Sequence, residues 1–166
     1  MNQKPRDVQV IALKVMRTLG NILWHFPFFG FITALLTFFT GCLFLITIIG
    51  APVALGVFQL SRFLLSPFSS AMIDKKELGK SQNKIWQAFG FIVRIFYFPF
   101  GLILSIVTLF QIAALFITIV GIPVALVLAK SLGTYFNPVN KVCVPRAVQK
   151  EIEERKAKEQ VDKYLG

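Results

Sequence analysis

The sequence predicts an all-α integral membrane protein made of two tandem repeats of about 70 residues, with a soluble C-terminal helix after them. Each repeat reads as an interfacial helix followed by a hairpin broken at Gly-x-Pro. Two observations carry this. Residues 46–55 (ITIIGAPVAL) return 71 positions later as residues 117–126 (ITIVGIPVAL), with eight of ten positions identical. Charge is also excluded from two long stretches, 44 residues between Arg17 and Arg62 and 35 between Arg94 and Lys130. A bilayer crossing takes roughly 20 apolar residues, so each stretch has room for a helix and its return. Buried helices of a soluble bundle keep a polar face and rarely run that far without a charge.

The repeated segment supplies the break. Proline has no backbone N–H and pushes the residue before it out of the helical region. Gly50 with Pro52, and Gly121 with Pro123, therefore mark an interruption deep in each apolar stretch. Pro67 and Pro138, again 71 apart, are expected to end the segments that follow.

Taken in order, residues 1–21 read as an N-terminal cytoplasmic and interfacial helix, apolar residues alternating with Lys14 and Arg17. Residues 1–17 are too polar for a signal-peptide core, so the N-terminus is expected to stay attached. Residues 22–68 form membrane repeat one. Trp24, His25 and the phenylalanines up to Phe29 suit the headgroup level; His25 has no second ionisable group beside it, which favours an interfacial residue over a proton relay. Pro27 can open the next helix, running to Ile49. Residues 69–84 read as a polar cytoplasmic linker. Residues 85–139 form membrane repeat two, in which Pro99-Phe100-Gly101 answers Pro27-Phe28-Phe29-Gly30. Residues 140–166 form a cytoplasmic C-terminal segment, its helix opened at Pro145 and laced by Glu-before-basic pairs such as Glu151 with Arg155. Its short Val144, Val148, Ile152 seam lapses, which favours a solvated helix over self-association.

Polar residues in the apolar stretches are few and recur. Thr33, Thr37, Thr40 and Thr47 fall within about 80° of one another on a continuous helix. Thr108, Gln111 and Thr118 occupy the positions equivalent to Thr37, Thr40 and Thr47, with Ser105 nearby. Such a stripe serves either as packing between membrane helices or as the lining of a watery path.

The formal charge of +10 does not point to nucleic acid, because the basic residues flank the apolar stretches. Four lie in 1–17, six in 62–94 and eight in 130–166. The positive-inside rule places both termini and the linker in the cytoplasm, near anionic lipid headgroups. Each repeat then enters the membrane and comes back, as a re-entrant hairpin or, if Thr40-Gly41 and Gln111 are turns, as two short complete spans. A re-entrant tip must have its backbone groups covered, since a bare amide in hydrocarbon costs several kcal/mol. The other repeat or a homo-oligomer would supply that cover.

The doubled Ile-Ile/Val-Gly-x-Pro segment and the run Asn21-Ile22-Leu23-Trp24 give residues 18–140 a likeness to a known group: the chain resembles the YccF family of bacterial inner-membrane domains. Ser66-Pro67-Phe68-Ser69 and Asn137-Pro138-Val139-Asn140 stand where that family tends towards Trp-Pro-x-Gly-Arg. The resemblance implies the fold and an inner-membrane location and carries no chemistry with it.

The residues point away from catalysis. The apolar stretches hold no carboxylate, nucleophile–base pair, cofactor loop or metal-ligand cluster, and Cys42 and Cys143 read as lone thiols. Intramembrane acids of the kind proton-coupled carriers use are absent too. Two classes remain: an oligomeric conduit for ions or small solutes, lined by broken helices and the Thr/Gln stripe, and a scaffold or membrane-shaping protein that uses its hairpins as wedges. The matched stripe favours the conduit.

Overall fold

The computed structural model describes residues 4–79 and 84–165; residues 80–83 of the linker and the extreme ends of the first and last segments lie outside that range. Its elements are α1 (Lys4–His25), α2 (Gly30–Ile46), α3 (Ala51–Leu65), β1 (Ser70–Asp74), α4 (Lys84–Ile117), α5 (Ile122–Phe136), β2 (Lys141–Pro145) and α6 (Arg146–Leu165). Short 3-10 turns follow β1 and precede α5. Lys84–Ile117 and Ile119–Phe136 are each long and apolar enough to cross a membrane. Val8–His25 and Gly30–Ile46, bent by 73° at their junction, make a third if counted as one span. The protein is a helical membrane protein.

The α2–α3 and α4–α5 pairs form the two closely packed hairpins. α3 and α5 occupy the centre. Phe63 and Leu64 of α3 and Val127 of α5 are almost fully buried beside Trp24 and Ala34, and a second cluster joins Val53 and Val57 to Val93 and Val139. α2 and α4 instead turn most of their Phe, Leu and Ile side chains outward. A soluble protein rarely exposes apolar patches on that scale; a lipid-facing one does.

Several boundaries depart from the sequence reading. Pro27 does not open α2: the helix starts at Gly30, after Phe29 has taken a left-handed φ of 52°. It also stops at Ile46 instead of Ile49, leaving 17 residues, about 25 Å. Pro99, matched with Pro27 in the sequence, breaks nothing. It lies inside the 34-residue α4, a helix of about 51 Å. A proline inside a helix removes one backbone bond, and membrane helices tolerate this because neighbouring groups re-satisfy the freed carbonyl.

The expected polar linker and the C-terminal segment each contribute a strand. β1 pairs antiparallel with β2, from Ser70 opposite Pro145 to Asp74 opposite Lys141. Pro145 therefore closes a strand, and α6 begins one residue later. Five-residue strands are too short for their alternation to stand out in a sequence. The register is centred on Met72 opposite Cys143, residues 71 apart. Lys141 closes the ribbon on Asp74 at 3.1 Å, and Lys156 of α6 reaches Glu77 at 2.7 Å.

Candidate functional site

The helix breaks come first. Pro52 and Pro123 sit in the first turns of α3 and α5, where a missing N–H costs nothing because that donor has no intrahelical partner. Both breaks are closed in the same way. Thr47 donates its hydroxyl to the Phe44 carbonyl at 2.7 Å and accepts from the Gly50 N–H at 3.1 Å. Thr118 donates to Leu115 at 3.0 Å and accepts from the Gly121 N–H at 3.2 Å. The polar cover a re-entrant tip needs is thus partly local. Gly50 and Gly121 keep ordinary helical dihedrals, and the left-handed residue at the first tip is Ile48. What the glycines supply is space: a Cβ at either would stand 2.5 Å from a backbone carbonyl, of Phe44 or of Leu115. Beside the exposed Thr47 and Thr118, the tips expose Ile46, Ile48 and Ile49 in one and Ile117, Ile119 and Val120 in the other.

The stripe residues do not form a single lining. Thr37 and Thr40 return their hydroxyls to the carbonyls one turn back, Thr33 and Leu36, at 2.8 and 2.9 Å. Thr108 does the same to Leu104 at 2.7 Å. Thr33 and Gln111 are exposed, Thr108 is buried, and Ser105 has a buried hydroxyl with no hydrogen-bond partner. Thr47 and Thr118 lie beyond the ends of α2 and α4.

Between the hairpins lies a cavity of about 570 Å3. α2 contributes Thr37 and Thr40, while α4 contributes Tyr97, Phe100 and Leu104 in place of Ser105, Thr108 or Gln111. α5 adds Thr134, 2 % exposed, whose hydroxyl is buried without a partner. Tyr97 and Thr134 escape a reading of the sequence based on matched repeats, because Phe26 and Phe63 stand 71 positions before them.

At the opposite end from the tips, donors from the lead helices hold the ends of α3 and α5. The last carbonyls of a helix have no intrahelical partner. Trp24 donates its indole N–H to the Leu64 carbonyl at 2.8 Å, and His25 places Nε2 2.9 Å from the Leu65 carbonyl. That contact requires the proton on Nε2 and gives His25 a structural partner. Asn21 receives the Phe68 N–H on Oδ1 and donates from its amide nitrogen to the Ser69 hydroxyl, at 3.0 and 2.9 Å. In the second hairpin Tyr97 donates to the Tyr135 carbonyl at 3.2 Å. Leu64 and Tyr135 are 71 apart, so equivalent carbonyls are covered by different side chains.

Both cysteines are free thiols. Burial pushes the Cys143 thiol up from its ordinary range, with a Ser70 hydrogen bond and the Arg62 charge acting against it. Among the described residues no three His, Cys, Asp or Glu side chains are grouped to hold a metal ion.

No curated protein and no solved structure matches the chain. A family model described as YccF, inner membrane component domain, matches residues 19–70. The matched stretch runs from the end of α1, through the Asn21–Trp24 motif and the first hairpin, to the start of β1. Over residues 19–70, about a third of the chain, the sequence is similar to the YccF inner membrane component domain.

Proposed function

We propose that the protein is a scaffold or membrane-shaping component that drives two hairpin wedges into the inner membrane from the cytoplasmic side. The observation that carries this reading is the contrast between base and tip. The tips expose apolar side chains and one threonine each, Thr47 or Thr118, and carry no charge, whereas the ribbon, the 3-10 turn and α6 at the other end hold the charged pairs. α3 is 15 residues, about 22 Å against a hydrocarbon core of about 30 Å; α5 becomes just long enough to cross only with the 3-10 turn before it, as Ile119–Phe136. In this reading both hairpins are re-entrant, and both termini and the linker are cytoplasmic. The chain is two repeats, each a lead helix, a hairpin and a strand, with equivalent strands pairing about Met72 and Cys143. The outward apolar faces of α2 and α4 are shared between lipid and further copies of the chain, as a homo-oligomer. No catalytic step is assigned.

One observation favours a conduit as the second reading: the cavity between the hairpins, with Thr37, Thr40, Tyr97 and Thr134 on its wall. Against it, the hydroxyls of Thr37, Thr40, Thr47, Thr108 and Thr118 already donate within their own segments.

Purified protein in liposomes separates the two. A wedge tubulates or shrinks vesicles and passes no common ion or small solute. A conduit passes solute without reshaping them, and replacing Thr37, Thr40 and Thr134 by valine alters the flux. Topology is read separately, with single cysteines at Lys76 and Lys163 in a chain lacking Cys42 and Cys143. Both should resist an impermeant thiol reagent in intact cells, and labelling of the first site alone would overturn the re-entrant arrangement.

A further inference from the structure

Three half-buried cations from three elements gather at the turn that follows α3. Lys130 of α5 donates from Nζ to the Pro67 carbonyl at 3.2 Å and lies 4.5 Å over the Phe68 ring. Arg146, the first residue of α6, donates its backbone N–H to the Ser69 carbonyl at 3.0 Å, and its Nε is buried with no hydrogen-bond partner. Arg17 of α1 lies one turn before Asn21, whose amide holds Phe68 and Ser69. Gly20 brings α1 close to this turn, since a Cβ there would meet the Phe68 ring at 2.7 Å. The charges of Arg146 and Arg17 both bear on the Lys130 ammonium.

Like charges held together in a half-buried place repel, and proteins normally set carboxylates among them. Among the described residues none is in salt-bridge reach of these three. Asp74 pairs with Lys141, Glu77 with Lys156, Glu151 with Arg155 and Glu154 with Lys150. The 20-residue α6 starts at the same place and adds the positive end of its dipole. The missing counter-charge is therefore an anion from outside the chain, and guanidinium groups fit the oxygens of a phosphate.

We propose that Arg17, Lys130 and Arg146 form a site for the phosphate of an anionic phospholipid in the cytoplasmic leaflet. A lipid suits the place better than a soluble phosphate because apolar surface flanks it: Met16 and Leu19 of α1 and Leu65 at the end of α3 are all more than half exposed. An acyl chain has somewhere to lie once the headgroup is held. The site rests on the membrane placement proposed above and on neither re-entrant tips nor membrane reshaping.

The test uses full-length protein in neutral detergent, with lipid retention read by native mass spectrometry and thermal unfolding read alongside. Phosphatidylglycerol, phosphatidylcholine and inorganic phosphate are the three additives. Phosphatidylglycerol should be retained and raise the unfolding midpoint, with the other two well behind. Arg17→Gln, whose guanidinium holds no other element among the described residues, should weaken retention about five-fold, the scale of one cation near an anionic surface. The triple variant with Lys130→Gln and Arg146→Gln should lose the preference for phosphatidylglycerol, while Lys158→Gln with Lys163→Gln, exposed on α6, should keep it. Equal retention by wild type and Arg17→Gln overturns the site, even if the triple variant fails to fold. Inorganic phosphate matching the lipid overturns the lipid assignment. Because the assay is in detergent, vesicles that are not reshaped, or a linker labelled from outside, would sink the wedge and leave this site standing.

Discussion

The two lead-in helices share a proline beside a phenylalanine and a glycine, yet one bends and the other does not. α1 and α2 meet at 73° between His25 and Gly30, while α4 runs unbroken through Pro99. One residue separates the local sequences. Two phenylalanines stand between Pro27 and Gly30, and one between Pro99 and Gly101. Gly30 and Gly101 are 71 apart, so the proline is displaced by one place, and Phe29, the counterpart of Phe100, takes the left-handed conformation at which the first helix cannot continue. What lies behind each bend matters as much. Trp24 packs on Gly30 and reaches the Leu64 carbonyl, and His25 reaches Leu65, so the bent geometry is pinned by two bonds to α3. At the equivalent places α4 carries Ile95 and Phe96, both more than half exposed, which offer no such bonds. A proline permits a bend; anchored neighbours make it.

The comparison breaks most visibly at the glycines. Gly101 faces the Phe136 carbonyl and Gly30 the Trp24 ring, each so closely that a Cβ would overlap its neighbour. Leucine at either site should cost about 3 kcal/mol, the upper end for overpacking, read as loss of monodisperse protein or of thermal stability. Gly101→Leu should be the worse, because a backbone carbonyl cannot rotate away as a ring can. A milder Gly101→Leu would show that α4 yields more easily than the bent helix.

The anchors themselves come next. Trp24→Phe keeps most of the ring and removes the donor to a buried carbonyl, so it should cost about 1–3 kcal/mol. Tyr97→Phe at the equivalent carbonyl should cost about 1 kcal/mol or less, since that bond is longer and only part-buried. Equal losses in paired chemical unfolding curves would mean that the indole bond does not hold the bend.

The proline in the straight helix gives an effect of the opposite sign. Pro99→Ala restores the N–H of an interior helical position and should stabilise α4 by up to about 3 kcal/mol, the penalty of an interior proline. Destabilisation would show that the Pro99 ring packs against something the helix needs.

Smallest are the tips. Thr47→Val removes the hydroxyl that accepts from the Gly50 N–H and should cost about 1 kcal/mol, as lost caps do. Thr118→Val should cost less, because the Gly121 N–H keeps the Thr118 backbone carbonyl at 3.0 Å. Equal losses would show that this carbonyl does not hold the second tip once the hydroxyl is gone.

Residues 46–55 and 117–126 alone determined that both hairpins break at Gly-x-Pro, and the charge-free stretches determined that the helices are apolar enough to cross a membrane. Those signals are local: a missing N–H, a run of apolar side chains and a repeat of 71 need no partner to be read. The Asn21–Trp24 motif was legible as a family mark, but its work on the end of α3 was not, since Leu64 lies 40 residues from Trp24 and Ser69 lies 48 from Asn21. The ribbon was invisible for a similar reason, its strands being short and 71 residues apart. The same holds for the cavity residues Tyr97 and Thr134, which break the repeat that drew attention to the threonines. Only the tertiary structure decided that Pro27 lies in a bend and Pro99 in a helix, and that Arg17, Lys130 and Arg146 meet at one turn. Each outcome depends on what faces a residue across the fold, and backbone propensity carries no record of that.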